Sequence, residues 1–204
     1  MKEQILKKAN EMFLTLGYKS VTMDDIAAEL GISKKTIYLH FANKNDLVEA
    51  STLKLFEDIS TSIDGICTDG HNPVEEFFVI RDFMTKALNN ETASPIFQLQ
   101  KFFPKVFTCL HTRKFEKMHG CMYQNLQRGI ALGMYRKDVD VDFISRIYFT
   151  GLTGIKDAEV FPVTIYNANT LTLQYLEYHL RAIVTDAGLN VLTKTIAEIN
   201  LKKS

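Results

Sequence analysis

Apolar residues recur along this chain at intervals of three and four, the spacing of a helix that buries one face. Ile5, Ala9, Met12, Phe13 and Leu16 set out the first such stripe over residues 3–16, closed by Gly17. A second, very short stretch covers 23–30 and ends at Gly31, and a third runs from about Lys34 to His40. A fourth begins near Lys44, with Asn43 placed to cap it and Asp46 in its first turn. Its apolar positions Leu47, Leu53, Phe56, Ile59, Ile63 and Ile66 hold helical spacing to about Cys67.

Asp69-Gly70-His71-Asn72-Pro73 breaks the pattern, and Asn72 before Pro73 reads as a cap followed by a first helical residue. Ser94-Pro95 repeats that signature. Pro104 predicts a boundary or kink, after which a long helix should run to about Gly133. Asp138 to Asp142 is an acidic corner from which Asp142 can cap the next helix. A break surrounds Phe161-Pro162, a helix covers about 170–186, Gly188 interrupts it, and a last amphipathic segment follows from about Leu189 to Leu201. No alternating run bounded by hairpin turns stands out, so the pattern predicts an all-α fold.

Composition narrows the class. The 204 residues are 46% hydrophobic and 24% charged, with 24 basic residues against 24 acidic ones. That excludes a disordered chain and a polybasic coat, yet zero net charge is compatible with a local patch for nucleic acid. No stretch approaches the length of apolar sequence that a membrane span needs. Lys2, Lys7 and Lys8 are followed by an amphipathic stripe rather than an apolar run, so no signal peptide is expected. Cys67, Cys109 and Cys121 include no Cys-x-x-Cys pair and fit reduced thiols in a cytoplasm.

The informative segment is 22–44. Thr22 and Asp25 fit a capping box, which fixes the start of a short helix. Ile26 and Leu30 share a face, and Ala27 is small enough to let a second helix approach. Gly31 suits the left-handed turn that ends this helix, and Ile32 can plug the turn from below. Ser33 caps the next helix, whose Ile37 and Phe41 point into the same core. This is the plan of a helix-turn-helix. Residues 33–45 hold Lys34, Lys35 and Lys44 with no acid, so positive charge gathers on the second helix and the start of the next. Free N–H groups at helix N-termini favour phosphate, and a major groove admits one such helix.

These residues resemble the DNA-binding domain of the TetR family of transcriptional regulators. The matching elements are Ile5, Ala9, Met12-Phe13 and Gly17-Tyr18, then Thr22-Met23-Asp24-Asp25-Ile26-Ala27 and Gly31-Ile32-Ser33-Lys34. Thr36-Ile37-Tyr38-Leu39-His40-Phe41 and Asn43-Lys44-Asn45-Asp46-Leu47 complete them. Lys35 departs from the glycine or small residue usual there. The resemblance implies that Thr22, Tyr38, His40 and Lys44 contact phosphate, and that Lys34, Lys35 and Thr36 approach base edges or the adjoining backbone. It implies an N-terminal three-helix domain over 1–47 and a larger helical ligand-binding and dimerisation domain over 48–204, the junction lying within the fourth helix.

Residues 71–135 hold eight of the 14 phenylalanines and four of the seven methionines, a composition suited to a plain core or to an adaptable apolar cavity. In the resembled family inducers bind in this region. Phe83, Phe103, Met118, Met122 and Tyr123 are the candidate ligand-lining residues. Ile144, Ile147, Tyr148, Gly151 and Ile155 form one later stripe, and Leu173, Leu176 and Leu180 another. They are the candidate dimer interface, with packing inside the subunit as the alternative. His111, His119 and Cys121 match no compact zinc spacing, so no metal or cofactor is expected. No Gly-x-Ser-x-Gly elbow or phosphate-cradling glycine loop suggests an enzyme. The sequence therefore predicts a cytoplasmic, homodimeric, ligand-responsive regulator, most often a repressor in such families. Its expected partners are a palindromic double-stranded DNA operator and a small apolar or amphipathic effector.

Overall fold

The computed structural model describes residues 1–88 and 95–201. The fold is all-α, and no strand occurs among the described residues; one isolated bridge joins Tyr135 to Val184. The helices are α1 (Lys2–Leu16), α2 (Met23–Leu30), α3 (Lys34–Tyr38), α4 (Lys44–Thr68) and α5 (Pro73–Ala87). They continue with α6 (Pro95–Phe102), α7 (Pro104–Ala131), α8 (Val141–Gly154), α9 (Ala168–Ile183) and α10 (Asp186–Leu201). None of the described helices is long and apolar enough to cross a membrane.

Two compact units form. One comprises Met1–Thr61 with Ala87–Lys114, the other Ser62–Lys86 with Phe115–Ser204. In the first, Ile5, Ala9, Phe13, Ile26, Ile37, Phe41 and Leu47 meet Leu99, Val106 and Leu110 in one buried cluster. In the second, Val74, Phe77, Phe78, Met122, Leu126 and Tyr135 meet Leu173, Leu176, Leu180, Ile183 and Leu192.

Proline sets two boundaries as expected. Pro73 opens α5, where Asn72 Oδ1 accepts the Val74 N–H at 2.9 Å. Pro104 opens α7 directly after α6 ends, because it can donate no N–H to a continuing ladder. Ser94, expected to cap α6, lies outside the described residues.

Two details differ from the sequence reading. Asp140, not Asp142, caps α8, accepting the Phe143 N–H at 3.0 Å. Asp142 instead sits in the first turn, receiving Arg146 Nε at 2.7 Å and facing His119 Nε2 at 2.8 Å. Gly188 does not interrupt a helix but lies inside α10, whose start is capped by Thr185 Oγ1. The reason is close approach. A Cβ at Gly188 would stand 2.2 Å from the Met134 carbonyl oxygen, which also accepts the Thr185 N–H at 3.0 Å.

Candidate nucleic-acid interface

Local hydrogen bonds fix each end of the 22–44 segment. Thr22 Oγ1 accepts the Asp25 N–H at 3.2 Å, while Asp25 Oδ2 accepts the Thr22 N–H and hydroxyl, each at 2.8 Å. These bonds hold the Asp25 carboxyl below its ordinary range, with a smaller contribution from the Lys44 charge. Gly31 adopts φ 63°, ψ 31°, the left-handed turn that a Cβ would disfavour. Ser33 then caps α3, its Oγ accepting the Thr36 N–H at 3.1 Å and meeting Thr36 Oγ1 at 2.8 Å.

The capped α3 is short. Its regular part ends at Tyr38, and the Leu39, His40 and Phe41 N–H groups close a tightening turn on Lys35 and Ile37 carbonyls. Ile37 and Phe41 point inward and are buried. Lys34, Lys35, Tyr38, Leu39 and His40 are exposed, and all but Leu39 are residues to which the resemblance gives a DNA-contacting role.

Their electrostatic situations differ. Lys34 Nζ pairs with Asp24 Oδ2 at 2.7 Å and lies 5.9 Å from the Tyr38 ring centroid. That bond to Asp24 raises its pKa and keeps it charged. Lys44 Nζ donates to the Lys19 carbonyl at 3.1 Å, and partial burial lowers its pKa. Lys35 is exposed and no acid among the described residues pairs with it. Thr36 is half-buried by its bond to Ser33. The His40 ring stands beside Phe41. Among the described residues, Lys35 is the one of these three lysines whose ammonium has no internal anchor.

One surface residue escaped the sequence reading. Leu39 is 74% exposed, an unusual setting for a large apolar side chain beside a basic helix. The signal was available. Ile37 and Phe41, four apart, mark the buried face, and a residue two positions from each falls on the opposite side. Lys35 and Leu39, themselves four apart, share that outward side.

Residues 5–51 match the model of the bacterial regulatory proteins of the tetR family. The HTH-type transcriptional repressor KstR2 of Mycolicibacterium smegmatis is 25% identical over 192 residues, covering 92% of each chain. Among solved structures, SmeT, the repressor of the Stenotrophomonas maltophilia multidrug efflux pump SmeDEF, superposes with a TM-score of 0.71. It is 19% identical and covers 92% of each chain. The SmeT–triclosan complex superposes with a TM-score of 0.63 at 20% identity, covering 92% of this chain and 93% of that one. Residues 5–51 form a TetR-type DNA-binding domain, and the 22–44 segment is its helix-turn-helix. The chain is a DNA-binding transcription regulator.

The candidate ligand residues are divided between the two units. Phe103 belongs to the N-terminal unit, where its ring packs 6.1 Å from Tyr18. Phe83, Met118 and Met122 lie in the C-terminal unit, Met122 in its buried core and the other two half-buried. Tyr123 is exposed beside His119. A recess of about 210 Å³ in the C-terminal unit is lined by Arg81, Asp82, Thr85, Lys86 and Asn169, none of them a sequence-selected residue.

The two later stripes also separate. Leu173, Leu176 and Leu180 are buried in the C-terminal unit's own core, so this face of α9 is filled by its own chain. Ile144 and Tyr148 pack against that core from α8, and Ile155 is half-buried. Gly151 accommodates Tyr175, whose ring a Cβ would meet at 2.4 Å and whose hydroxyl donates to the Ile147 and Tyr148 carbonyls. Ile147 is exposed, and so are Phe143 on α8 and Tyr178 on α9, both missed by the stripe reading. No group of three His, Cys, Asp or Glu side chains gathers for a metal among the described residues.

Proposed function

We propose that this regulator is a cytoplasmic repressor that binds a palindromic operator as a homodimer and releases it when a small apolar or amphipathic ligand binds. The observation that carries the reading is the exposed face of α3. Lys35, Tyr38 and Leu39 project from a five-residue helix whose start is capped and whose inner face is locked by Ile37 and Phe41. Such a helix is held ready for a groove at little entropic cost. Repression follows the relatives, since KstR2 and SmeT are both repressors.

Roles divide by chemistry. Tyr38, His40, Thr22 and Lys44 are assigned to phosphates, which position the protein without reading sequence. Lys34, Lys35 and Thr36 are assigned to base edges or the adjoining backbone. A lysine can donate to guanine O6 or N7, and the Thr36 methyl can meet a thymine methyl. Residues 1–47 act as the reading head and 48–204 carry ligand binding and dimerisation.

One head of this size makes few phosphate contacts. A two-fold pair doubles them and reads both half-sites. Phe143, Ile147 and Tyr178 are the exposed apolar groups on α8 and α9 suited to that pairing. A stable dimer should bury at least ~1,200 Å². The effector is assigned to the Phe- and Met-rich C-terminal unit, and triclosan bound to SmeT sets a precedent for an apolar aromatic ligand. A ligand that favours the conformer with weaker operator affinity shifts the population away from DNA, typically by about 1–3 kcal/mol of coupling.

The test is a binding series on the native upstream region and on scrambled duplexes at several salt concentrations. Lys44→Ala should weaken both duplexes alike and flatten the salt dependence by about 0.9 per lost contact. Sequence-independent binding by the wild-type protein, or a monomer in sedimentation at micromolar concentration, would overturn the proposal.

A further inference from the structure

Within the C-terminal unit, α4 and α7 face each other through matched positions. Asp64 on α4 forms an ion pair with Lys117 on α7. One turn further along each helix stand Cys67 and Cys121, three residues after Asp64 and four after Lys117. That register sets the Cys67 and Cys121 thiols next to each other, close enough for each to perturb the other's charge. The Arg128 guanidinium closes the end of this contact by donating to the Cys67 carbonyl at 3.2 Å. Both cysteines are free and partly accessible. Spacing along the sequence hid this pair, because 53 positions lie between its members.

We infer that Cys67 and Cys121 form an oxidisable dithiol, which a peroxide converts into an intrachain disulfide joining α4 to α7. Cys121 is the attacking group. It lies in the field of Lys117, one turn away on the same helix, and that charge favours its thiolate. Its sulfur attacks one peroxide oxygen, the O–O bond breaks, and the departing hydroxide takes up a proton as water. The resulting sulfenic acid stands beside Cys67, which attacks the oxidised sulfur and expels a second water. Two thiols and one peroxide thus become one disulfide and two waters, the thiols supplying two electrons.

Burial raises both thiols, and Cys67 is pushed up to about 12. The thiolate fraction at neutral pH is therefore small, so oxidation is slow there and quickens as pH rises. This shields the pair from casual oxidants and leaves it responsive to sustained peroxide.

Hydrogen peroxide is the probe, applied to the full chain at neutral and mildly alkaline pH. Cys109 belongs to the N-terminal unit and lines an open recess with Pro104, Lys105 and Thr108, so it serves as an internal control. Peptide mapping of the wild-type protein should find Cys67 linked to Cys121 within one chain, reversibly on treatment with dithiothreitol. In a Cys109→Ser background the intact mass should fall by two hydrogens with loss of both thiols. In Cys67→Ser, Cys121 should stop at a sulfenic acid that dimedone captures. Both thiols surviving a treatment that oxidises Cys109 would overturn the inference. So would oxygen-added products without a cross-link, a link only between chains, or a rate that ignores pH. The wild-type mapping needs no variant, so a poorly folding substitution leaves the test intact.

Discussion

The side-chain amide of Gln98 lies directly against Gly17. Its Oε1 accepts the Lys19 N–H at 3.2 Å, and a Cβ added at Gly17 would stand 2.5 Å from Gln98 Nε2. Gly17 itself adopts φ 89°, ψ 149°, a conformation close to glycine-only territory. Helix α6 thereby fastens the loop after α1, and the neighbouring Lys19 carbonyl in turn holds Lys44.

Gly17→Ala should therefore cost about 1–3 kcal/mol through backbone strain, with the clash added. Gln98→Ala in the same background should remove the clash and leave the strain. Urea unfolding of the two single variants and the double variant separates these contributions. A neutral Gly17→Ala would show that the loop relaxes without penalty.

Glu76 is 2% exposed and holds a buried network together. Its carboxylate accepts Asn125 Nδ2 at 2.8 Å and pairs with Arg128, while the Tyr135 hydroxyl donates to Asn125 Oδ1 at 3.0 Å. Glu76→Ala removes the buried carboxylate that Arg128 and Asn125 share, leaving them only the Cys67 and Pro73 carbonyls, and should cost about 3 kcal/mol. Tyr135→Phe, which removes one hydrogen bond and little volume, should cost about 1 kcal/mol. Denaturant midpoints at constant slope would measure both, and equal losses would refute the ranking.

His179 is 5% exposed, its Nε2 buried near the Tyr148 and Tyr175 rings with no hydrogen-bond partner among the described residues. Burial lowers its pKa from 6.5 to about 4. The unfolded chain then binds the extra proton across that interval, so stability is complete above pH 6.5 and falls as pH drops toward 4. The loss should reach about 3 kcal/mol at the lower end. His179→Phe should remove this part of the acid sensitivity. An unchanged pH profile in that variant would show that other groups carry it.

Thr22 and Asp25 predict a second acid response with a different origin. The depressed carboxyl of Asp25 favours the folded state above its unfolded pKa, and that contribution disappears as pH falls through the folded value. Thr22→Ala should cost roughly 0.5–2 kcal/mol as a lost cap. It should also weaken this response without abolishing it, because the N–H of residue 22 still donates to Asp25, as read by the chemical shift of the Asp25 carboxyl against pH.

Lys35 and Leu39 share the outward side of α3, which predicts coupled reading of the operator. Leu39→Ala and Lys35→Gly should each cost about 1–3 kcal/mol per half-site on the operator and less on scrambled DNA. Leu39→Ala should leave the salt dependence unchanged, because no charge is removed. Equal losses on both duplexes would reassign these side chains to positioning.

The helix-turn-helix was legible in the sequence because everything that shapes it is local. The Thr22–Asp25 box, Gly31, the Ser33 cap and the Ile37/Phe41 pair each act within a few residues. Helical spacing marked Ile37 and Phe41 as the inner face of this segment, whereas the roles of Lys35, Tyr38 and His40 came from the resemblance, which assigned none to Leu39. The all-α class was legible for the same reason, since helical periodicity is a local property.

Partners of the apolar stripes were decided by tertiary structure. A stripe states which face is buried, never against what. Phe103 packs in the N-terminal unit, and Leu173, Leu176 and Leu180 fill their own subunit's core. Glycine is ambiguous in the same way. Gly31 ends a helix through its left-handed backbone, whereas Gly188 sits within one because the Met134 carbonyl comes too close for a side chain. Cys67 and Cys121, and Gln98 and Gly17, meet only because helices distant in sequence are packed side by side. Such contacts depend on how faces interlock, which periodicity along one helix does not encode.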